Sequence, residues 1–405
     1  MDVVVVVYGV RVTGPLAQYA KGLAGELARL GFTELSARCQ LGLAGHLSRW
    51  LAGAGLGTAA LTTAMVDGYL AARRTAGYRA YLTPKALAPL LGYLRGLGVA
   101  PPPEVPAPQT WADELVDGYR RWLLAERGLG VKVARGYVDS VRPFVAAHAT
   151  GGEAGLRDLG ASDVTAFLTA GSRRLAPKTV QRLATALRSL LRFWHLQGLI
   201  SGPLDQAVPK VANRRPGLPQ PLESRSKVQA LLASCDCGTA DGRRDLAMLT
   251  LLARMGLRAG EVAGLRLDDI DWRLGEITIA GKGNRRDKLP LPADAGEAVA
   301  AYLQHGRPST ALDRSVFIRI KAPHRGLTSG GVTQAVAAAA RRAGLGTIYA
   351  HRLRHSAATA ILAEGGSLAE IGQVLRHRRP HTTAAYTKVR IEALRGLARP
   401  WPGAS

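Results

Sequence analysis

Apolar side chains recur every three or four residues through most of the chain. One clear stretch runs from Leu183 and Leu187 to Trp194. This spacing places the apolar side chains on one face and predicts an amphipathic helix that buries that face. In the last part of the chain the same pattern predicts helices over residues 245–255, 294–304, 333–343, 352–363 and 368–376.

Other segments have the pattern of a strand. Residues 276–280 alternate and are β-branched, and the glycine-rich turn at 281–284 leads to a returning strand at 287–291. At the start of the chain, Val3–Val7 predict either a short strand or a buried segment. We therefore predict a mainly α fold with a small antiparallel β-sheet in an α+β C-terminal domain, preceded by all-α bundles.

Proline-rich stretches predict where the domains end, because proline interrupts helices and favours extended spacers. With 405 residues the chain is long enough for three domains of ordinary size. Linkers at 101–108 and 203–221 divide it into a helical domain at 1–100, a second helical domain at 109–202 and a C-terminal domain at 222–405.

The two helical domains have the pattern of an internal duplication. Matching landmarks follow in the same order: Leu27–Phe32 with Leu124–Leu129, Val66–Leu70 with Val164–Leu168, and Leu82–Leu87 with Leu175–Val180. Helices rich in alanine, leucine and arginine resemble one another by composition alone. The shared order nevertheless favours a duplication.

The net charge indicates the kind of partner. The chain carries 54 Lys and Arg against 30 Asp and Glu, a formal net charge of +24 at pH 7. Such an excess favours a polyanion, either nucleic acid or an acidic membrane surface, and we expect nucleic acid. The first apolar run is too short to span a bilayer and no basic segment precedes it, so we expect a cytoplasmic protein with no membrane partner.

We expect no metal and no cofactor. Three cysteines are too few for a disulfide framework, and the Cys235–Cys237 pair lacks both zinc-ligand spacing and a second pair. The C-terminal domain also has no obvious cluster of carboxylates among its candidate residues, which disfavours a two-metal nuclease.

Four local clusters in the C-terminal domain could carry chemistry. They are Gly256-Leu-Arg258-Ala-Gly-Glu261, Lys282 at the hairpin tip, His351-Arg-Leu-Arg354-His355, and His377 followed by Tyr386. Arginine offers a planar fork for two phosphate oxygens, and tyrosine is a plausible nucleophile whose phenolate neighbouring cations would favour. Each residue alone is more often structural, but the set together suits a phosphodiester.

Pro380 explains how the last cluster could converge. His377 and Tyr386 are nine residues apart, about 2.5 helical turns, so one continuous helix would place them on opposite faces. Proline disfavours a helix at the residue before it and suits the first turn of a new one. A turn at Pro380 could therefore aim both side chains at one site.

With these motifs in this order, the chain resembles the tyrosine recombinases, or phage integrases, over roughly residues 110–395. The first arginine motif, the hairpin lysine, the H-x-x-R box and the closing histidine and tyrosine each have a counterpart in that family. Residues 109–202 resemble its core-binding, SAM-like domain. One departure is Arg376, which stands where the family usually has glycine before His377.

The resemblance implies the chemistry. Tyr386 would attack a DNA phosphate and form a 3′-phosphotyrosyl link. Lys282 would protonate the leaving 5′ oxygen, and His351 would take the tyrosine proton. The bond energy would be conserved, so the reaction would need neither ATP nor metal.

The same resemblance assigns the groups that bind the phosphate. Arg258 and Arg354 would clamp its non-bridging oxygens, while His351 and His377 would hydrogen-bond to it. The implied function is site-specific recombination or integration of a mobile element. Two alternatives remain at this point: a type IB topoisomerase-like enzyme, and a non-catalytic DNA-binding protein on the same fold.

Strand exchange implies partners. Four protomers would act on two double-stranded DNA sites, and the apolar tail 391–397 would dock either on a neighbouring protomer or on its own domain. The basic domain at 1–100 is expected to be an accessory DNA-binding domain or a docking domain for assembly.

Overall fold

The computed structural model describes residues 4–103, 107–211, 225–281, 286–311 and 313–376. These residues form two compact units, one drawn from 1–103 and 217–405 and the other from 104–216. The fold is mostly helical with small antiparallel sheets, as predicted.

The first part of the chain combines a hairpin with four helices. Strands β1 (Val4–Val7) and β2 (Val10–Thr13) pair antiparallel, with Val4 opposite Thr13. The helices that follow are α1 (Ala20–Arg29), α2 (Glu34–Gly53), α3 (Thr63–Thr75) and α4 (Pro84–Gly96).

This arrangement corrects one sequence expectation and confirms another. The N-terminal domain is not all-α, because the valine run forms β1 of a hairpin that turns at Tyr8 and Gly9, both with positive φ. Of the two alternatives for the valine run, the structure shows the short strand and not the buried segment, since Val4 is 44% exposed and Val6 is 61% exposed. Alternation along a two-stranded ribbon leaves these side chains on the outer face.

The second unit is a helical bundle. It contains α5 (Trp111–Ala125), α6 (Val131–His148), α7 (Gly152–Arg157), α8 (Ala161–Ser172) and α9 (Pro177–Leu196). Fully buried aromatic side chains fill its core, among them Tyr119, Phe144 and Trp194. The apolar face predicted from Leu183 to Trp194 is the buried face of α9.

The C-terminal part packs helices and a three-stranded sheet around a shared hydrophobic core. Its elements are α10 (Arg225–Ala233), α11 (Ala240–Met255), α12 (Ala259–Ala263), β3 (Ile270–Asp271), β4 (Glu276–Ala280), β5 (Arg286–Pro290), α13 (Ala293–His305), α14 (Ser329–Arg342), α15 (Ala350–Ala363) and α16 (Leu368–Val374). The strands pair antiparallel in the order β3-β4-β5, and Ile277 faces Leu289. Helix α11 lies in the core.

A close contact joins the N-terminal part to the C-terminal part. The backbone N–H of His324 donates to the carbonyl of Leu30 at 3.0 Å. The next residue, Gly31, has a left-handed φ of 85°, and a Cβ there would lie 2.1 Å from the His324 ring. Glycine is therefore required at residue 31 both by its backbone and by the close approach of the imidazole.

No helix within the described ranges is long and apolar enough to cross a membrane.

Candidate active site

The first candidate residue, Arg258, stands between two helices. Helix α11 ends at Gly256, whose left-handed φ of 57° turns the chain. Arg258 then has an extended backbone and caps α12, while its side chain remains 48% exposed. The sequence thus presents a half-exposed guanidinium at a fixed point of the backbone.

Glu261 holds this arginine at two places. Its Oε2 accepts from the backbone N–H of Arg258 at 2.8 Å, and its Oε1 accepts from Arg258 Nη1 at 2.5 Å. The carboxyl is only 6% exposed. Backbone and side chain of Arg258 are therefore both fixed by one buried carboxylate.

A second cation reaches the same carboxylate from far along the chain. Arg376 donates from Nη2 to Glu261 Oε2 at 2.6 Å, and both side chains are less than 10% exposed. Burial alone would raise the pKa of Glu261, but the hydrogen bonds from Arg258 and the charge of Arg376 hold that pKa below its usual value. Glu261 is thus ionised between two arginines.

Helix α15 supplies the second and third candidates. His351 is exposed and lies one turn before His355, with 2.9 Å between their Nε2 atoms. In this hydrogen bond one Nε2 atom donates and the other accepts, so the tautomers of the two rings are coupled. Arg354 is on the same helix and is only 3% exposed.

Arg354 links helix α15 to the ends of two other helices. Its guanidinium donates to the carbonyls of Gly256, at the end of α11, and Leu375, after α16. A Cβ at Gly256 would lie 2.6 Å from the Leu375 side chain, so only glycine allows this approach. The structure therefore brings Arg354 next to the turn that leads into Arg258.

The structure does not describe the other three predicted site residues. Lys282, His377 and Tyr386 lie outside the described residues. The strands that flank Lys282 are described, and Arg286 on β5 pairs with Asp269, a carboxylate that is 6% exposed. Asp269 also accepts from the backbone N–H of Arg266 at 2.9 Å, which anchors one side of the hairpin.

In the sequence, Arg376 is a departure from the family's glycine and Glu261 is a member of the first arginine cluster, and neither was given a role in the site. The structure instead makes them a buried ion pair beneath the site. One signal in the sequence could have indicated this pair. Arg376 stands after a predicted helix, at a position where the left-handed backbone usually requires glycine, so its side chain is expected to have a specific partner. Among the described residues, no group of three or more His, Cys, Asp or Glu could hold a metal ion.

Two family models match this chain. The phage integrase family model covers residues 224–392, and the model of the phage integrase N-terminal SAM-like domain covers 116–198. A putative integrase/recombinase, y4rA of Sinorhizobium fredii (strain NBRC 101917 / NGR234), is 40% identical over 400 residues, which span 96% of this chain and 95% of that protein. The chain belongs to the phage integrase family, the tyrosine recombinases.

Other tyrosine recombinases match most of the chain. The tyrosine recombinase XerD of Listeria monocytogenes serotype 4b (strain F2365) is 32% identical over 286 residues, 68% of this chain and 94% of its own. A crystal structure of the XerH site-specific recombinase bound to palindromic difH substrate shares the fold, with a TM-score of 0.54, 18% identity, and coverage of 83% of this chain and 95% of that one.

Membership of this family makes the chain an enzyme of DNA cleavage and rejoining. Among the alternatives drawn from the sequence, it favours the site-specific recombinase over the topoisomerase and over the non-catalytic binding protein.

Proposed function

We propose that this tyrosine recombinase breaks and rejoins double-stranded DNA at specific sites, in integration or recombination of a mobile element, through a 3′-phosphotyrosyl intermediate on Tyr386. One observation carries the proposal: Arg354 is bonded to the turn that presents Arg258, and His351 lies on the same helix as Arg354. Cations fixed at one place stabilise the charge that develops on a reacting phosphate.

In the proposed step the Tyr386 oxygen forms a bond to phosphorus while the bond from phosphorus to the 5′ oxygen breaks. His351 takes the phenol proton, and Lys282 gives a proton to the leaving 5′ oxygen. Rejoining is the reverse reaction, with a 5′ hydroxyl as the attacking group. Because the tyrosyl ester keeps the bond energy, the balance requires no nucleotide cofactor.

The proposed binding roles rest on the geometry of Arg258 and, for Arg354 and His377, on the resemblance to the family. The guanidinium of Arg258 is half-exposed and is held by the buried Glu261 carboxylate. This arrangement suits a bidentate contact with two phosphate oxygens. Arg354 and His377 complete the proposed phosphate site. The +24 charge of the chain would attract the DNA backbone over a wider surface.

Strand exchange between two duplexes requires four cleavages, and we propose a homotetramer in which the tail 391–397 docks on a neighbouring protomer. The tail lies outside the described residues.

For residues 1–100 we propose accessory DNA binding, with the docking role as the competing outcome. The basic excess of this domain is partly engaged within it: Arg29 pairs with Glu26, and Arg73 stacks on the Tyr78 ring at 4.0 Å. Arg74 and Arg95 donate to backbone carbonyls. Phosphate contacts would therefore depend on the remaining cations, such as Arg38 and Lys85.

Covalent trapping tests the proposed function. The substrate is a duplex recovered from random-sequence DNA by its attachment to the parent protein, then rebuilt with a nick so that the cleaved fragment diffuses away. Tyr386→Phe should form no denaturant-resistant adduct and should bind this duplex with nearly unchanged affinity, because only the hydroxyl is lost.

The matched control is Tyr349→Phe. Tyr349 is 56% exposed and two residues before His351, so it is the described tyrosine closest in the sequence to the candidate site residues. It should keep the adduct. An adduct that persists in Tyr386→Phe, or that disappears only in Tyr349→Phe, would overturn the assignment.

A further inference from the structure

Arg376 occupies a position that disfavours its side chain. It follows α16 with Leu375 as the capping residue, and its φ is +52°. This is the position after a helix end where glycine is usual, because a Cβ is strained in the left-handed region. Only two other non-glycine residues in the described ranges, Tyr8 and Tyr81, have positive φ. The contacts of the Arg376 side chain must therefore offset this backbone strain.

Those contacts are buried. The Arg376 side chain is 8% exposed, and its Nη2 donates to Glu261 Oε2 at 2.6 Å. Its Nη1 donates to the Val374 carbonyl at 3.2 Å, which fixes the orientation of the guanidinium. This buried cationic side chain thus forms its ion pair with a carboxylate that lies 115 residues away in the sequence.

The carboxylate connects Arg376 to the candidate active site. Glu261 Oε2 is shared by Arg376 and the backbone N–H of Arg258, while Oε1 is left to Arg258 Nη1. With Arg376 in place, Oε2 is fixed from two sides and Oε1 points at the half-exposed arginine. Without Arg376, the carboxylate could rotate and Arg258 would lose a defined anchor.

We propose that Arg376 is a positioning residue, which holds the Glu261 carboxylate so that Arg258 aims its guanidinium at the DNA phosphate. The inference rests on the proposed function, in which Arg258 contacts that phosphate. Arg376, which stands where the family usually has glycine, would thus orient Arg258.

The electrostatics give the proposal a distinct signature. Among the described residues, the charged groups that act on Glu261 are Arg258, from the start of α12, and Arg376, from beyond the end of α16. Arg354 donates to the carbonyls of Gly256 and Leu375. Both neighbouring arginines lower the pKa of Glu261 and burial raises it. Loss of Arg376 should therefore raise this pKa, so that Glu261 takes up a proton and releases Arg258 at a higher pH than in the parent.

The test measures single-turnover cleavage of the trapped, nicked duplex at saturating protein over a range of pH. Arg376→Gly should lower the cleavage rate on the order of 10- to 100-fold, the scale of a misplaced reacting group, with little change in DNA affinity. The acid limb of its rate profile should move to higher pH. Arg376→Lys should restore the acid limb, because it returns the positive charge, and should restore the rate in part.

Two further variants separate positioning from folding. Arg376→Gln keeps a polar side chain, although a shorter one, and removes the charge, so it carries the test if the glycine variant does not fold. Tyr81→Gly removes a strained positive φ in the N-terminal domain and should leave rate and pH profile unchanged. Glu261→Gln combined with Arg376→Gly should be no slower than Glu261→Gln alone, because both act through one contact.

The outcomes distinguish the inference from the proposed function. If the parent forms no adduct, the proposed function fails. If the parent cleaves and a folded Arg376→Gly or Arg376→Gln protein keeps both the parental rate and the parental acid limb, the positioning role is overturned. Losses that multiply in the double variant would also reject it.

Discussion

At the scale of single residues, the site depends on how one buried carboxylate is shared. Glu261 fixes the backbone and side chain of Arg258 and is itself fixed by Arg376. A half-exposed arginine moored in this way loses little further entropy on binding phosphate, which is what preorganisation requires.

Replacing Arg258 by lysine tests the fork geometry. Arg258→Lys keeps the charge but loses the planar pair of donors, so single-turnover cleavage should fall by at least about 10²-fold while DNA affinity changes little. Arg254→Lys is the matched control, because Arg254 lies four residues earlier, in the last turn of α11, is 50% exposed and pairs with Asp294. Cleavage by Arg258→Lys at the rate of this control would show that Arg258 is structural.

At the scale of elements, the hairpin that carries Lys282 is anchored at its base. Asp269 accepts from the Arg266 backbone and pairs with Arg286 on β5, although Arg286 itself is 61% exposed. The adjacent Asp268 pairs with Arg314 at the surface, where both side chains are more than half exposed. The two carboxylates offer neighbouring ion pairs with very different burial.

Asp269→Asn should therefore lower both stability and the cleavage rate, whereas Asp268→Asn should change neither. Loss of the buried charge should lower the free energy of unfolding by about 1 kcal/mol, and it should slow cleavage because the lysine hairpin loses its anchor. Denaturant unfolding and the trapping assay measure the two effects. Equal behaviour of the two variants would mean that the Asp269–Arg286 pair does not position the hairpin.

Elements were predictable where the signal was local. Strand β4 has the predicted bounds, and α15 starts within two residues of the prediction, because alternation and helical periodicity are properties of a short window. Helix α11 begins at Ala240 rather than residue 245, since Thr239 caps it by accepting from the Gly242 N–H. Strand β3 is too short, at two residues, to leave a pattern.

The site was predictable only in part, for a physical reason. Arg258, His351 and Arg354 stand in local motifs, and their proposed roles stay predictions. The pairing of Glu261 with Arg376 joins residues 115 positions apart, and nothing in either local sequence specifies the other partner. Contacts of that kind are set by packing of whole helices.

At the scale of the whole molecule, the two helical domains share backbone features at matching landmarks. Gly31 and Gly128, 97 residues apart, both follow a helix with left-handed φ values of 85° and 57°. Helices α4 and α9 both begin with a Pro-Lys pair. We propose on these grounds that the two domains arose by duplication, with the β1–β2 hairpin specific to the first copy.

The two glycines differ in what surrounds them, which makes them a matched pair. A Cβ at Gly31 would collide with the His324 ring, whereas a Cβ at Gly128 would meet nothing within 4 Å. Gly128→Ala should cost about 1 kcal/mol through its backbone alone. Gly31→Ala should cost about 1–3 kcal/mol more, because overpacking is added where the N-terminal part meets the His324 loop.

Denaturant unfolding of the full chain measures both variants. Equal losses for Gly31→Ala and Gly128→Ala would contradict the expected collision of a Cβ at residue 31 with the His324 ring. The expected excess for Gly31→Ala would confirm that the His324 ring packs closely against Gly31.

The covalent intermediate on Tyr386 is the central claim, and mass spectrometry of the trapped adduct tests it most directly. After digestion with nuclease and trypsin, the nucleotide mass should be found on the peptide Arg379–Lys388, which contains Tyr386 as its one tyrosine. Fragmentation should place the phosphate on that phenolic oxygen. A nucleotide carried instead by the peptide with Tyr349, or by any other residue, would contradict the account.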